Sequence, residues 1–315
     1  MYDVDIIIPT YKPDDRFLES LRRLSKQSVK PNNIYIINTD RAIWDGLDMD
    51  NKIKNLSLDV GIDISHIDKK DFDHGASRNL GVSKSKAKYF VCMTQDALPK
   101  DKALIEELIS PMSDEIKLSY ARQEAYKEAS EIEKFTRSYN YPEVSAVKSE
   151  ADKDIYGIKL YFCSNVCAAY ERETFEKLGR FKEGLILNED MIYAACVLKS
   201  GKKLMYSAAA VVYHSHDYSA RQQFERNFDI AVSQLMYKEY FEGLKSESEG
   251  IKLVKKTALH LIKKGKLLSV FKLVYISGAK YLGYKKGKNY PKLTKEQRIK
   301  CSMNKSYWER DEYAG

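Results

Sequence analysis

Two short acidic motifs carry the side chains best suited to chemistry in this chain. They are TQDA at Thr94–Ala97 and NEDM at Asn188–Met191, about ninety residues apart. The first follows Tyr89–Met93, an apolar run typical of a central strand, and open α/β sheets bind ligands at the carboxyl ends of such strands. With DHGASRN at Asp73–Asn79 and YHSH at Tyr213–His216, the chain offers carboxylates, imidazoles and a guanidinium. This set suits the handling of a diphosphate and the activation of a hydroxyl.

The carboxylate of Asp96 is a candidate ligand for a divalent metal ion. A diphosphate leaving group gains negative charge as it departs, and a cation held by a carboxylate stabilises that charge. Gln95 stands where a second carboxylate would strengthen the prediction. His214 or His216 is the candidate second protein ligand, and the alternative is that both histidines are structural.

Asp190 is the candidate general base, which would remove the proton from an attacking hydroxyl. Asn188 and Glu189 beside it would support the acceptor side of the site. These residues open an apolar helical run, so the alternative is that the carboxylates only complement the helix dipole.

Residues at the ends of the first two predicted strands are candidates for binding a nucleotide. Pro9, Thr10 and Tyr11 place a hydroxyl, an aromatic ring and backbone N–H groups at one strand end. Asp40 ends the next strand, where a carboxylate can accept a hydrogen bond from a pyrimidine or a ribose. A helix cap or a solvated turn is the alternative for Asp40.

The motif at residues 73–79 adds a candidate phosphate-binding side chain. The guanidinium fork of Arg78 matches a pyrophosphate, and Asp73 or His74 can bond the base or the sugar. Gly75 has no side chain, which allows a ligand to approach closely. The alternative is a capped helix start with an exposed arginine.

The N-terminal half alternates as βαβ units do. We predict strands at Val4–Ile8, Ile34–Ile37, Ile62–Ile67 and Tyr89–Met93, with helices from Asp14 and from Asn79. This pattern favours an α/β fold with a mostly parallel, nucleotide-binding central sheet flanked by helices, followed by a C-terminal helical extension.

The rest of the chain divides less clearly. Residues 113–160 are polar with weak periodicity, and we predict a helical and loop excursion there that covers the acceptor side. A helix at Asn188–Leu198, a strand at Leu204–Tyr213 and an amphipathic helix at Phe224–Tyr240 follow. We predict a larger domain at residues 1–222, with its nucleotide half at 1–100 and its acceptor half at 101–222, and a mainly helical region at 223–315.

The composition is that of a folded protein, with 43% hydrophobic and 31% charged residues in 315. No apolar run approaches the roughly 20 residues of a membrane span, and the first residues do not resemble a signal peptide. We therefore expect a cytoplasmic location.

The net charge of +8 is unevenly distributed. Residues 245–305 contain 17 Lys and Arg against 3 Asp and Glu, a net charge of +14, which leaves −6 for the remainder. Apolar positions in this basic segment recur at helical spacing between lysines, the profile of helices lying on an anionic membrane. The alternative is packing on the larger domain with a solvated lysine face. No recognition motif accompanies the charge, so we predict no nucleic-acid partner.

Together these motifs resemble glycosyltransferase family 2 of the GT-A fold, in its bacterial rhamnosyltransferase-like branch. The resemblance spans roughly residues 4–230 in the family's order and rests on Ile8–Tyr11, Asn38–Asp40, Phe72–Asn79, Thr94–Ala97, Phe162–Asn165, Asn188–Met191 and Val212–His216. It implies an inverting, single-displacement transfer of L-rhamnose from dTDP-β-L-rhamnose. The implied acceptor is a hydroxyl of a lipid-linked glycan in cell-surface polysaccharide synthesis, at the inner face of the membrane.

The resemblance also implies residue roles. Thr10, Tyr11, Asp40 and Arg78 would hold the nucleotide, Asp96 would hold Mg²⁺ or Mn²⁺, and Asp190 would be the base. Pro9, Asp73, His74, Thr94 and Gln95 fall in the same nucleotide-sugar motifs. Gln95 departs from the broader family, which has an acidic residue there, and this bears on metal binding rather than on the fold.

Two alternatives remain at this point. One is a transferase of the same fold that uses a UDP-hexose or UDP-galactofuranose as its donor. The other is an inactive nucleotide-sugar-binding subunit that recruits partners through its basic region, an interpretation supported only by Gln95.

Overall fold

The structure, a computed structural model, describes residues 2–241 and 247–310. Two compact units are present in it. The first contains the described residues up to Tyr126, with Tyr141–Gly184 and Glu189–His214, and the second contains Lys127–Asn140, Leu185–Asn188 and the described residues from Ser215 onward. Residues 245 and 246 of the basic segment lie outside the described residues. The predicted division at residue 222 stays a prediction.

Nine strands of the described chain form one sheet in the first unit. They are β1 Val4–Thr10, β2 Asn33–Thr39, β3 Gly61–Ile67, β4 Tyr89–Met93, β5 Leu98–Pro99, β6 Ile116–Glu124, β7 Ala146–Lys148, β8 Cys167–Glu171 and β9 Lys203–Tyr213. The order is β3-β2-β1-β4-β8-β6-β9-β5, with β7 paired to β9. The α/β class is as predicted. The sheet is parallel from β3 to β4, as expected of βαβ units, whereas β8 runs antiparallel to β4 and β6, so its other half is mixed.

Helices follow the strands of the first unit and make up most of the second. In chain order they are α1 Asp15–Leu24, α2 Arg41–Gly46, α3 Met49–Lys54, α4 His74–Lys84, α5 Leu104–Ile109, α6 Glu131–Asn140, α7 Lys153–Tyr156, α8 Arg172–Lys177, α9 Glu189–Lys199, α10 Ala220–Met236, α11 Lys238–Phe241, α12 Glu247–Lys263, α13 Leu267–Lys288, α14 Lys295–Cys301 and α15 Lys305–Glu309. Helix α6 and helices α10–α15 belong to the second unit. No helix among the described residues combines the length and the apolarity needed to cross a bilayer.

Strand β6 corrects the prediction of a helical and loop excursion at residues 113–160. The strand pairs with β8 and β9 inside the sheet. Its polar residues Ser119 and Gln123 are buried, at 0% and 2% exposure, so its burial does not appear as an apolar pattern. Gln123 is buried with hydrogen-bond partners, and such polar positions hide a strand from hydrophobic periodicity.

The core of the first unit explains why the parallel strands form. Val4, Ile6 and Ile8 of β1 are fully buried and pack with Phe17 and Leu21 of α1. Strands covered on both faces read as continuous apolar runs, which is why β1, β2 and β4 were readable from the sequence. Because these strands are parallel, their carboxyl ends meet along one edge of the sheet, where Thr10 and the residues that follow β2 and β4 lie.

The second unit has its own smaller core. Ile186, Phe228, Val232, Tyr307 and Trp308 are buried together. Helix α13 packs closely on α10, since a Cβ added at Gly283 would lie 2.2 Å from the carbonyl oxygen of Phe224, and one at Gly287 would lie 2.4 Å from that of Phe228. Only glycine allows two helix backbones to approach so closely at these positions.

Candidate active site

The end of β1 presents the predicted nucleotide-binding residues. Pro9 and Thr10 lie in the strand, and the buried Thr10 hydroxyl donates to Asn38 Oδ1 on β2 over 3.2 Å. The Tyr11 ring follows the strand at 38% exposure, with the Lys12 ammonium 5.2 Å from its centre. An exposed ring with a cation at this edge of the sheet can stack on a nucleobase.

Gln95 holds the backbone of Tyr11 in place. Its Oε1 accepts from Tyr11 N–H at 2.8 Å, and its Nε2 donates to the Tyr11 carbonyl at 2.9 Å. The pair of bonds joins the loop after β1 to the end of β4. A carboxylate at this position could accept from the N–H but could not donate to the carbonyl, so an amide suits the contact better than the family's acidic residue.

Asp40 and Asp73 both cap helices. Asp40, with a φ of +71°, accepts from Ile43 N–H at the start of α2, and Asp73 accepts from Gly75 N–H and Ala76 N–H at the start of α4. These contacts match the helix cap that is the alternative for Asp40 and the capped helix start that is the alternative for residues 73–79. Their roles in donor binding stay predictions.

Helix α4 begins at His74, five residues earlier than predicted, so the motif forms its first two turns. Gly75 gives close approach to protein rather than to a ligand, because a Cβ there would lie 2.2 Å from the carbonyl oxygen of Lys182. His74 stacks edge-on with Phe72, with ring centres 5.1 Å apart.

Arg78 is buried at 5% exposure, which corrects the alternative of an exposed arginine. Its guanidinium lies 3.1 Å from the carboxylate of Glu189, itself 5% exposed, and donates to the His74 carbonyl at 2.9 Å. Burial opposes ionisation of Glu189, but the charge of Arg78, helped by His74 and by the Asn165 amide, outweighs it. The pKa of Glu189 therefore lies below its ordinary value.

Asp190 lies beside this ion pair in the first turn of α9. Its two carboxylate oxygens accept from the backbone N–H groups of Asn165 and Met191, at 2.9 and 2.8 Å. Burial, and then the charge of Glu189, raise the pKa of Asp190 to about 7, although the two N–H bonds work in the opposite direction. A carboxylate with a pKa near neutrality is suited to take a proton at physiological pH.

Asp96 lies in the turn between β4 and β5, beside His214, which directly follows β9. Its Oδ2 is 3.4 Å from His214 Nε2, and its carbonyl accepts from the Tyr126 hydroxyl. On the other side of the buried ring, His214 Nδ1 is 3.0 Å from Gln123 Oε1, and Gln123 Nε2 donates to the Ser164 hydroxyl. A side-chain carbonyl at Nδ1 favours the proton there, which directs the Nε2 lone pair toward Asp96. An oxygen and an imidazole nitrogen so placed suit a divalent metal ion.

Three predicted residues remain to be placed: Thr94 in the first unit, and Asn188 and His216 in the second. Thr94 directly follows β4, and its N–H donates to the Val166 carbonyl. Asn188 belongs to the second unit and donates to the Ser233 hydroxyl, also in that unit, at 3.1 Å. His216, two residues after His214 in the chain, belongs to the second unit as well and stacks on Tyr218 with ring centres 5.0 Å apart.

Three residues that organise this site were not predicted from the sequence. Asn165 binds both acidic residues of α9, with its backbone N–H on Asp190 and its side-chain amide on Glu189. Gln123 and Ser164 orient His214. Asn165 and Ser164 belong to a motif that carried the family resemblance but suggested no role, while nothing in the sequence distinguished Gln123.

Comparison with known proteins identifies the family. The sequence model of Glycosyl transferase family 2 matches residues 5–179. The O-antigen chain rhamnosyltransferase RfbN of Salmonella typhimurium is 35% identical over 99% of this chain and 98% of its own length, and WbaN of Salmonella anatum, with the same description, is 33% identical over 98% and 96%.

Solved structures share the fold at low identity. A mannosyltransferase, PcManGT from Pyrobaculum calidifontis in complex with GDP-Man and Mn²⁺, has a TM-score of 0.58 at 15% identity and covers 98% of this chain and 85% of its own. Residues 1–349 of S. aureus TarS, in complex with UDP-GlcNAc, have a TM-score of 0.52 at 13% identity over 92% and 91%. The predicted GT-A-type fold is confirmed by these similarities.

Proposed function

The chain belongs to glycosyl transferase family 2, and from this membership we propose that it transfers L-rhamnose from dTDP-β-L-rhamnose to a hydroxyl of a glycan. The chain is a glycosyltransferase. The choice of rhamnose is supported by two relatives described as O-antigen chain rhamnosyltransferases, each matched over nearly the full length of both chains. A lipid-linked acceptor and a dTDP-linked donor are the finer parts of the proposal.

One observation carries the catalytic part: a carboxylate with a pKa near 7, beside a buried ion pair, at the start of a helix. Asp190 is held by two backbone N–H groups, so its oxygens point in a fixed direction. Because its pKa is raised to about 7, Asp190 can take the proton of the acceptor hydroxyl at neutral pH. Arg78 favours the ionised form of Glu189, and the charge of Glu189 contributes to this shift, while the charge of Arg78 on Asp190 opposes it.

The proposed reaction is one displacement with inversion. The acceptor oxygen attacks the anomeric carbon, its proton moves to a carboxylate oxygen of Asp190, and the bond from that carbon to the diphosphate oxygen breaks. The products are the α-linked rhamnoside and dTDP. Asp190 then releases its proton to solvent.

Residues near the diphosphate would balance its charge. Asp96 and His214 fit a Mg²⁺ or Mn²⁺ ion, because their oxygen and nitrogen lie 3.4 Å apart and Gln123 orients the imidazole. When bound, the ion supplies positive charge that stabilises the departing diphosphate. His216 follows His214 by two residues and is proposed as a further ligand from that spacing alone.

We further propose where the substrates and the membrane are bound. Pro9, Thr10 and Tyr11, with Asp40, would hold the nucleotide, and Asp73, His74, Arg78, Thr94 and Gln95 would complete the donor site. Asn188 and Glu189 would support the acceptor side. The basic segment at residues 245–305, with its net charge of +14, would attract the enzyme to the anionic inner face of the cell membrane.

A donor panel tests the proposal. The purified enzyme would be given dTDP-β-L-rhamnose, a UDP-hexose or UDP-galactofuranose with a glycan acceptor, and release of the nucleoside diphosphate would be followed. We expect release with dTDP-rhamnose and at least a hundredfold less from Asp190→Asn, as for other general bases. Preference for a UDP sugar would overturn the donor, and an absence of release with every donor would support the inactive subunit.

A further inference from the structure

Helix α13 carries two apolar faces, of which one is covered. Leu273 and Ile276 are buried at 5% and 8% exposure, and Gly283 and Gly287 lie against α10. These four residues recur at intervals of three, seven and four, so they form one face of the helix. The close glycine contacts establish which side of α13 packs within the second unit.

The opposite face is exposed along most of its length. The exposed stripe consists of Leu267, Leu268, Phe271, Val274 and Tyr275, whose exposures are 59%, 86%, 74%, 62% and 72%. Tyr281 and Leu282, at 60% and 58% exposure, also belong to the exposed stripe. Single exposed apolar residues are ordinary, but a continuous row of large ones marks an interaction surface. A helix with apolar residues on two opposite faces is typical of one that contacts a second apolar environment.

The charge around the exposed stripe indicates what that neighbour is. Residues 250–295 contain 13 lysines and neither Asp nor Glu. Lys263, Lys272, Lys285 and Lys286 are exposed before, within and after the stripe, while Lys264 and Lys266 pair with Glu131. Lysine is depleted from the cores of protein interfaces, and two copies of so basic a surface would repel each other. A bilayer with anionic headgroups accepts both components, because apolar side chains enter it while lysine amines reach the phosphates.

We propose that the exposed stripe inserts into an anionic bilayer, with α13 lying in the membrane plane. The inference deepens the proposed membrane association and rests on it. From Leu267 to Leu282 the stripe extends about 24 Å at 1.5 Å per residue, and such helices enter about 5–10 Å into the headgroup boundary. Binding then has two components: a charge component that salt weakens and an insertion component that persists at high salt.

The experiment uses the full-length protein and vesicles of phosphatidylcholine with phosphatidylglycerol. Wild type should bind these vesicles at low salt and keep part of its binding at high salt. The double variant Leu268→Ser/Phe271→Ser should bind about tenfold or more weakly at low salt and lose the salt-resistant part, since two large apolar side chains no longer leave water. In Phe271→Trp, vesicles should shift the tryptophan emission to shorter wavelength, while the native Trp44 and Trp308 are already buried.

A matched control separates insertion from a general loss of exposed apolar area. Val144 and Ile155 in the first unit are 75% and 77% exposed, so Val144→Ser/Ile155→Ser removes comparable surface elsewhere and should leave vesicle binding unchanged. Sugar transfer to a soluble acceptor, measured in parallel, reports that the variants are folded and tests the proposed reaction independently of any vesicle result.

Three results would overturn the inference. If wild type and the double variant bind vesicles equally, association is by charge alone and the broader proposal survives. If wild type does not bind at low salt, both membrane proposals are wrong. If wild type self-associates without lipid and the double variant does not, the exposed stripe is an interface between copies of the chain.

Discussion

The pH dependence of sugar transfer is the most direct test of Asp190 as the general base. We consider a fall in pH from 8 to 5. With a pKa of about 7, roughly nine-tenths of Asp190 is ionised at pH 8 and about 1% at pH 5. Only the ionised form can take a proton. We therefore expect kcat/KM for the donor to fall close to a hundredfold from pH 8 to pH 5. Below the pKa the fall is about tenfold for each pH unit.

The structure also predicts how the profile should move. The charge of Glu189 is the second cause of the raised pKa, after burial, so Glu189→Gln should lower the pKa of Asp190 and move the acid limb to lower pH. The variant leaves the buried Arg78 charge without its carboxylate, so circular dichroism should first show that it is folded.

Steady-state rates of nucleotide release at saturating acceptor would give both profiles, and Asp190→Asn would give the background. A wild-type rate that is constant from pH 5 to pH 8 would refute the reasoning. A limb that moves to higher pH in Glu189→Gln would show that Glu189 does not act on Asp190 through its charge.

Three further expectations follow from the structure. Asp96→Ala should weaken Mn²⁺ binding, measured by calorimetry, and EDTA should inhibit the wild type; an unchanged rate in EDTA would show a metal-independent enzyme. In Gln95→Glu the side chain cannot donate to the Tyr11 carbonyl, so we expect the KM for the donor to rise about tenfold or more, with kcat less affected. An unchanged KM in this variant would show that the two Gln95 bonds do not position Tyr11 for the donor. Burial raises the pKa of Asp229, which accepts from the Met303 and Asn304 N–H groups, to about 7. Because the folded pKa lies above the unfolded one, ionisation opposes folding, and the melting temperature of wild type relative to Asp229→Asn should fall from pH 5 to pH 8. A constant difference would contradict this.

The sequence identified the acidic motifs and the parallel half of the sheet because both depend on local pattern. The run Ile6–Ile8 and the residues that follow it are readable without knowledge of the rest of the chain. The environment of Asp190 was not readable in this way, since its raised pKa depends on burial and on the charge of Glu189 within the folded chain. Strand β6 was missed because its buried polar residues, such as Gln123, have partners more than forty residues away in the chain.

Helix α13 shows a different limit of sequence reasoning. Leu273 and Phe271 belong to residue types that are equally apolar, yet one is 5% exposed and the other 74%. Periodicity detects that such residues lie on faces of a helix but cannot tell which face has a partner. The glycines at 283 and 287 settle it, because they permit close packing on one side only.

The buried pair of Arg78 and Glu189 connects α4 to α9, and so makes the proposed donor residue a neighbour of the proposed base. A diphosphate bound near Arg78 would share that guanidinium with Glu189 and add negative charge close to it. The proton affinity of both carboxylates on α9 would then rise when the donor binds. Reciprocity requires that protonation of Asp190 strengthens donor binding to the same extent, so donor affinity should increase as the pH falls, in the direction opposite to the rate.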